Sequence, residues 1–314
     1  MRKSRYSFDK VIKDFEQSKN TLRPNTIKRY KPILTQFKLF VDALGLKYVD
    51  EFNSDHGTLL LNEIVKERID PKGVTDRILK PKPKTVNMYL QVIKALFREE
   101  QIKGHIIKNP LIHIKNLKAE KRTPDFYSAD ELKRFFSQEM NEFYRNTFLG
   151  LFYTGMRFAE LANLTWDDVD LNSRLIHVRS TEQFKTKTAK GERAIPISDE
   201  LFEILKDMKL KNTCIYTFPA PNGKQLRERQ TLAVCKQIAN AADIKSNAYL
   251  HKFRHTYATY LIRKGVPIQD IKELLGHSSV VETEIYAHNN SDHLHDKIKH
   301  LGNILNSKDE KAVK

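Results

Sequence analysis

The sequence has little material for covalent cross-links or membrane spans. It contains two cysteines, Cys214 and Cys235, in 314 residues. Two cysteines cannot build a disulfide framework or a cysteine-based zinc site, so we expect both to be reduced and buried. No apolar run approaches the roughly 18 residues that a membrane helix needs, and the basic N-terminus leads into no apolar signal-peptide core. These absences argue against secreted and membrane classes and favour a cytoplasmic protein.

Acidic residues are also scarce relative to basic ones. The chain carries 55 Lys and Arg against 39 Asp and Glu, a formal net charge of +16. Residues 1–120 hold 25 basic and 14 acidic side chains (+11), whereas residues 121–314 hold 30 and 25 (+5). A strongly basic first third suits a polyanion, most simply nucleic acid, because phosphate neutralisation releases counterions. A solubilising surface would carry the same charge, so charge alone leaves both interpretations open.

Hydrophobic periodicity divides the chain into two regions. Apolar residues recur three and four apart in four stretches of the first hundred residues. They predict amphipathic helices that start near Phe8, after a cap at Asn25 or Thr26, near His56 and near Lys84. Four such helices make a small domain. The predicted organisation is a helical domain over 1–103, a linker over 104–127, a second domain over 128–306 and a disordered charged tail over 307–314.

The second domain mixes helices with short strands. A capping-box sequence, from Ser128 to Glu131, opens its first helix. Predicted helices cover 129–138, 141–153 and 157–166, predicted strands 175–179, 193–197 and 215–218, and the pattern is helical again from 229. The fold class is therefore mainly α with a small β-hairpin or sheet, an α+β chain.

Five polar side chains lie near the predicted starts of two helices in the first domain. They are Lys28, Arg29, Lys82, Lys84 and Thr85. Side chains and free backbone N–H groups can meet phosphate together at a helix start, which makes these residues candidates for DNA contact. Taken singly, each is more typical of an ordinary solvated face.

Four separated segments of the second domain hold residue types suited to phosphate chemistry. They are Thr154-Gly155-Met156-Arg157 with Glu160, a hairpin loop with Lys185 and Lys187, His251-Lys252-Phe253-Arg254-His255 followed by Leu275-Gly276-His277, and Tyr286 nine residues after His277. Each piece alone has a structural explanation, such as a helix ion pair, a helix cap or a core aromatic ring. The ordered set is far more specific than any one piece.

In this order the segments resemble the tyrosine recombinases, the phage-integrase and Xer group, over essentially the whole chain. The resemblance implies a helical core-binding (SAM-like) domain followed by a catalytic domain that cleaves and rejoins DNA through a 3′-phosphotyrosyl intermediate. Arg157 and Arg254 would hold the phosphate oxygens, since guanidinium groups are planar, charged and bidentate. Tyr286 would be the nucleophile.

The resemblance also implies roles for the remaining site residues. His251 would be a general base or phosphate ligand, and His277 would give a second hydrogen bond to the phosphate. A hairpin lysine, Lys187 with Lys185 as the second choice, would protonate the leaving 5′-oxygen. Glu160 would support the site through hydrogen bonds. No cofactor, metal or ATP is implied, and an isolated His293-x-His295 pair lacks a third ligand.

The partners implied by the resemblance are double-stranded DNA with a specific recombination site and further copies of the chain, as a tetramer on DNA. A C-terminal helix over 292–305 would pack on a neighbouring copy or on its own domain. The first helix begins near Ser7, so we expect a Xer-like layout without an arm-binding domain. The alternatives are a non-catalytic DNA-binding protein on the same fold and a type IB topoisomerase-like enzyme. Integration of a mobile element and resolution of chromosome dimers stay equally open.

Overall fold

The computed structural model of the chain describes residues 5–69, 78–119, 124–180, 191–211 and 213–287. The chain forms two compact units, Met1–Lys121 and Arg122–Lys314. The mainly helical α+β fold predicted from the sequence is confirmed. Each unit has its own apolar core.

The first unit is built from helices. They are α1 (Phe8–Ser18), α2 (Pro24–Ala43), α3 (Ser54–Val65) and α4 (Pro83–Ile102). Phe8, Phe37 and Phe97 are almost completely buried at the centre of its core. The predicted cap of the second helix is wrong, because Arg23 stands at the cap position in place of Asn25 or Thr26, and Pro24 is the first helical residue. Proline suits the first helical position, since it lacks an N–H that would have no partner there.

One element of the first unit has no counterpart in the sequence prediction. A two-stranded antiparallel sheet joins β1 (Arg68–Ile69) to β2 (Ile78–Leu79). Strands of two residues are too short to show an alternating hydrophobic pattern, which explains why periodicity did not find them.

The segment predicted as a linker, 104–127, contributes to the cores of both units. Leu111 is fully buried in the first unit, and Ile114 and Leu117 pack against the same core. The Asn87 side chain fixes this segment by accepting from Leu117 N and donating to Leu117 O, at 2.7 and 2.9 Å. Tyr127 is fully buried in the second core. The apolar residues of this segment show no periodicity in the sequence, but they pack in the two hydrophobic cores.

The second unit combines helices with a small antiparallel sheet. Its helices are α5 (Ala129–Ser137), α6 (Glu142–Thr154), α7 (Phe158–Ala162), α8 (Asp199–Leu210), α9 (Glu228–Ala241), α10 (His251–Arg263), α11 (Ile268–Leu275) and α12 (Val281–Ala287). The antiparallel strands are β3 (Val169–Asp170), β4 (Leu175–Val178) and β5 (Arg193–Pro196), in the order β3-β4-β5. Val178, the last residue of β4, pairs with Arg193, the first residue of β5. This pair fixes the register at the end of the two strands that the segment with residues 181–190 connects.

The predicted third strand over 215–218 is wrong. Tyr216 makes an isolated antiparallel bridge with Thr165, and the third strand of the sheet is β3. The apolar residues there are divided, because Phe218 enters the core while Ile215 is 67% exposed. A buried strand would need both sides of this run covered.

Candidate functional site

Two glycines turn the chain sharply just before two of the predicted catalytic residues, Arg157 and His277. Gly155 ends α6 with φ +61°, and Gly276 ends α11 with φ +64°. This left-handed conformation favours glycine because it costs no Cβ clash. A Cβ on Gly155 would lie 2.4 Å from Tyr257 Cδ1. The two turns place Arg157 and His277 directly after the ends of two helices.

Arg254, on α10, joins these two turns. Its guanidinium donates to Gly155 O at 2.8 Å and to Leu275 O at 2.7 Å. The side chain is 1% exposed. These bonds use two of its five N–H groups, and Nε has no hydrogen-bond partner among the residues that the structure describes. A buried, permanently charged donor with unused N–H groups is suited to an anion.

Arg157 precedes α7 and is held by Glu160 on that helix. Arg157 donates to Glu160 through its guanidinium at 2.8 Å and through its backbone N–H at 2.9 Å. Glu160 also accepts from Arg193 of β5 at 2.9 Å. Burial by itself would raise the pKa of Glu160, but the charges and hydrogen bonds of Arg193 and Arg157 hold it below its ordinary value. Glu160 therefore remains a carboxylate that orients Arg157.

His277 is buried beside the second turn, where its Nδ1 lies 2.8 Å from the Thr283 hydroxyl. Burial and the charges of Arg254 and Arg157 lower the pKa of His277 to about 4. The ring is thus neutral at pH 7. When Thr283 donates to Nδ1, the proton of the ring sits on Nε2, which can donate to a second acceptor. Sequence reasoning did not identify Thr283.

Tyr286 lies on α12, and its ring is 3% exposed. Its hydroxyl is 2.7 Å from Nδ1 of His255, the residue after Arg254. Burial raises the pKa of Tyr286 to about 12, in spite of the positive charge of Arg254. Burial and Arg254 lower the pKa of His255 to about 4. The phenol is therefore protonated and hydrogen-bonded to a neutral imidazole. The sequence motif includes His255 but assigns it no role.

His251 is the first residue of α10 and its side chain is exposed. Its ring centre lies 4.8 Å from that of His255, with the two rings nearly perpendicular. Desolvation on its protein-facing side and the charges of His255, Arg254 and Arg157 lower the pKa of His251. A neutral imidazole open to solvent can accept a proton, and an anion bound next to Arg254 would raise its basicity.

The site has more positive than negative charge. Burial and the charges of Arg157 and Arg193 lower the pKa of the Arg254 guanidinium, whereas the carboxylate of Glu160 raises it. Glu160 in turn has its pKa lowered by Arg193 and Arg157. The pKa values of His251, His277 and Tyr286 are all shifted by Arg254 and Arg157. The structure thus brings five of the six predicted catalytic residues into one cluster. The arrangement can hold a phosphate-like anion with a hydroxyl and a neutral imidazole next to it.

The described residues include only some of the remaining predicted ones. Lys187, and its alternative Lys185, are outside the described residues, as are the predicted C-terminal helix over 292–305 and the His293-x-His295 pair. The candidates for DNA contact are exposed near the starts of α2 and α4 in the first unit. They are Lys28, Arg29, Lys82, Lys84 and Thr85.

The structure also bears on the state of the two cysteines, on metal sites and on membrane-spanning helices. Neither cysteine forms a disulfide; Cys235 is buried as expected, whereas Cys214 is only partly buried. Burial raises the pKa of the Cys235 thiol to about 11. Within the described ranges, no group of three or more His, Cys, Asp or Glu side chains is arranged to hold a metal ion. None of the helices that the structure describes is both long and apolar enough to cross a membrane.

Comparisons with known proteins agree with this geometry. Residues 126–293 match the phage integrase family. The chain is 30% identical to a tyrosine recombinase of Thermosipho africanus, over 93% of this chain and 100% of that protein. It is 26% identical to the tyrosine recombinase XerC of Oceanobacillus iheyensis, over 90% of this chain and 91% of that protein.

Solved structures share the fold at lower identity. The Tn1549 transposon integrase in complex with a circular intermediate DNA superposes with a TM-score of 0.75 at 19% identity, over 95% of this chain and 100% of that one. A lambda integrase dimer bound to a COC′ core site gives 0.69 at 15% identity, over 88% and 96%. With the family model matching more than half of its length, the chain belongs to the phage integrase family of tyrosine recombinases.

Proposed function

We propose that the chain is a site-specific recombinase that cleaves and rejoins duplex DNA through a 3′-phosphotyrosyl intermediate on Tyr286. The observation that carries the proposal is the cluster just described. Arg254, whose Nε has no partner within the described part of the chain, joins the turns of Arg157 and His277, while the Tyr286 hydroxyl lies beside the neutral His255. Such a cluster supplies anion binding, a nucleophile and a proton acceptor together.

The arginines bind the phosphate in this mechanism. Attack on a phosphodiester builds negative charge on the non-bridging oxygens, and the unused N–H groups of Arg254 and Arg157 donate to them. Nε2 of His277 donates a further hydrogen bond. Donors fixed in advance by Glu160, Thr283 and two backbone carbonyls need no reorganisation during the reaction.

Tyr286 is the nucleophile. At pH 7 its ionisation would cost about 7 kcal/mol, from a pKa of about 12, so a base must take its proton. The Oη–P bond forms as the P–O5′ bond breaks, and the phenolic proton passes to His255, whose Nδ1 lies beside the hydroxyl. His251, the base that the family resemblance implies, lies against the His255 ring. The leaving 5′-oxygen takes a proton from Lys187. The products are a 3′-phosphotyrosine and a free 5′-hydroxyl.

Rejoining reverses these steps. A 5′-hydroxyl, from the same or another strand, attacks the phosphotyrosine, and Tyr286 leaves with a proton. One phosphodiester is exchanged for another, so the reaction is close to energy-neutral and needs no ATP. Exchange between two DNA sites requires four active sites, which supports action as a tetramer, with the segment 292–305 as the proposed contact between copies.

DNA binding by the first unit completes the proposal. Its basic residues near the starts of α2 and α4 are exposed and would contact the phosphate backbone. The named relatives include XerC and XerD proteins, and the structural neighbours include transposon and phage integrases. We expect the protein to act in the cytoplasm of a prokaryotic cell, either in chromosome dimer resolution or in the movement of a mobile element.

Covalent capture in cells tests the proposal. Wild type, Tyr286→Phe and Tyr257→Phe are expressed in the native host, the cells are denatured, and DNA still attached to protein is sequenced. Tyr257 is a matched control because it is a tyrosine of the same small core as Tyr286. We expect adducts with wild type and Tyr257→Phe and none with Tyr286→Phe.

The position of the adducts identifies the biological setting. A single locus near the replication terminus indicates dimer resolution, and ends of an element indicate integration and excision. Adducts without sequence preference would support the topoisomerase-like alternative. No adduct with wild type would support the non-catalytic DNA-binding alternative, and adducts with Tyr286→Phe would place the nucleophile on another residue.

A further inference from the structure

Arg193 is a buried arginine to which the sequence pattern gives no chemical role. It begins β5, and its side chain is 6% exposed. Its guanidinium contacts three parts of the second unit. Nε donates to Leu274 O at 2.6 Å, one terminal nitrogen donates to Glu160 at 2.9 Å, and the other donates to Gly191 O at 2.9 Å.

Two of these contacts lead to proposed catalytic residues. Glu160 is the carboxylate that holds the Arg157 side chain and backbone. Leu274 lies in the last turn of α11, three residues before His277. A Cβ on Gly276 would lie 3.0 Å from the Arg193 guanidinium. The missing side chain at Gly276 therefore lets the guanidinium approach the turn that carries His277.

Charge gives Arg193 a second effect on the site. Glu160 is 1% exposed, and both Arg157 and Arg193 form ion pairs with it. With Arg157 as its sole partner, the carboxylate would neutralise the charge that Arg157 offers to a phosphate. Arg193 supplies the second positive charge, which leaves the Arg157–Glu160–Arg193 group with an excess of one. The net charge of these three side chains strongly affects a nearby phosphate, because solvent screens buried charges poorly.

We propose that Arg193 is a positioning residue for DNA strand transfer: it fixes Arg157 relative to His277 and neutralises Glu160, so that the charge of Arg157 acts on the scissile phosphate. This inference rests on the proposed function. Arg193 touches no reacting atom; it acts through Glu160 and the end of α11. A purely structural arginine would instead stabilise the fold without affecting the reaction of the folded protein.

The test compares single and double variants of the full-length protein. The probe is the duplex recovered by covalent capture, nicked near the cleaved phosphate so that adducts accumulate. The rate of adduct formation is measured at saturating protein, and the DNA dissociation constant is measured separately. Arg193→Gln is compared with Glu160→Gln, with the double variant and with Arg174→Gln. Arg174 is a matched control, since it pairs with Asp199 at the opposite end of the sheet.

We expect Arg193→Gln to slow adduct formation by about 10²-fold, as for misplacement of a catalytic group, with the dissociation constant changed by less than about threefold. Arg174→Gln should react like wild type. The decisive result is the double variant. Removing the Glu160 carboxylate frees the charge of Arg157, so Arg193→Gln/Glu160→Gln should react faster than Arg193→Gln alone, at about the rate of Glu160→Gln.

A double variant as slow as Arg193→Gln or slower, or a single variant with the wild-type rate, would overturn the proposal. Fluorescence of Trp166, the one tryptophan of the chain, checks that the second unit is folded. Where Arg193→Gln does not fold, Arg193→Lys retains the charge near Glu160 and should lose only about tenfold in rate; a loss of 10²-fold or more in folded Arg193→Lys contradicts the inference. If wild type itself forms no adduct, the proposed function fails, and this inference fails with it.

Discussion

The two units of the molecule use positive charge in opposite ways. The first unit belongs to the part of the chain with the larger charge excess, and its candidates for DNA contact are all exposed. The second unit has the smaller excess but buries arginine, lysine, glutamate and histidine side chains, with Arg254 1% and Lys252 0% exposed. Solvent and salt screen exposed charges, so a bound polyanion responds mainly to their total number. A buried charge is screened much less and strongly affects the single group next to it.

This difference predicts how the units respond to mutation. In the second unit, changing one buried side chain should alter the rate of reaction or the stability strongly. In the first unit, changing one exposed lysine should alter affinity slightly.

Arg254→Lys should reduce the rate of adduct formation by about 10²–10³-fold, the usual cost of losing a preorganised donor at a developing anion. Lysine keeps the charge, but it cannot donate to Gly155 O, Leu275 O and a phosphate in the fixed geometry of a guanidinium. The measurement is single-turnover cleavage of the captured duplex. A rate within tenfold of wild type would contradict the role assigned to Arg254.

Acid should destabilise the second unit. Burial and Arg254 lower the pKa values of His255 and His277 to about 4, so between pH 6.5 and 4 the unfolded chain binds protons that the folded unit does not. The free energy of unfolding should therefore fall as the pH falls through this window, by up to about 3 kcal/mol per histidine. The loss levels off below pH 4 for these two groups.

Urea unfolding at several pH values, followed by Trp166 fluorescence, measures this dependence in the second unit. His277→Asn should flatten it. His113→Asn changes an exposed histidine of the first unit and should leave it unchanged. Equal slopes for wild type and His277→Asn would show that His277 is not held neutral by the fold.

Thr283→Val should slow adduct formation by about tenfold. Valine matches the shape of threonine but removes the hydroxyl that lies 2.8 Å from Nδ1 of His277, so the tautomer that donates from Nε2 loses its support. Thr283→Ser keeps the hydroxyl and should retain most of the rate. If both variants react equally, the hydroxyl does not orient His277.

Lys84→Ala should give the smallest effect. One phosphate contact fewer should weaken DNA binding about two- to fivefold and reduce the slope of log affinity against log salt concentration by about one. The cleavage rate at saturating protein should not change. Lys13→Ala, an exposed lysine of α1, is the control with wild-type affinity. Loss of the saturated rate in Lys84→Ala would contradict the division of roles between the units.

The sequence predicts those residues of the site that stand in recognisable motifs. Arg157, His251, Arg254, His277 and Tyr286 stand in short motifs of fixed order, and the structure clusters all five. Arg193 and the bond between His255 and Tyr286 depend on contacts between elements that are distant in sequence, such as β5 with α7 and α11. Thr283 lies six residues after His277, but it belongs to none of the motifs. Periodicity carries no information about such contacts.

The same limit applies to the fold. Long amphipathic helices such as α4 were predicted to within a few residues, because their apolar faces repeat over several turns. The strands β1, β2 and β3 have two residues each, and the buried Leu111 belongs to no regular element. Short or irregular segments are placed by the packing that surrounds them.

The central claim is that Tyr286 carries the DNA in the covalent intermediate. The most direct measurement is mass spectrometry of the adduct formed by the purified wild-type protein with the captured duplex, after nuclease and protease digestion. The account predicts a nucleotide linked through its 3′-phosphate to the peptide that contains Tyr286. A nucleotide on any other residue, or one linked through a 5′-phosphate, would contradict it.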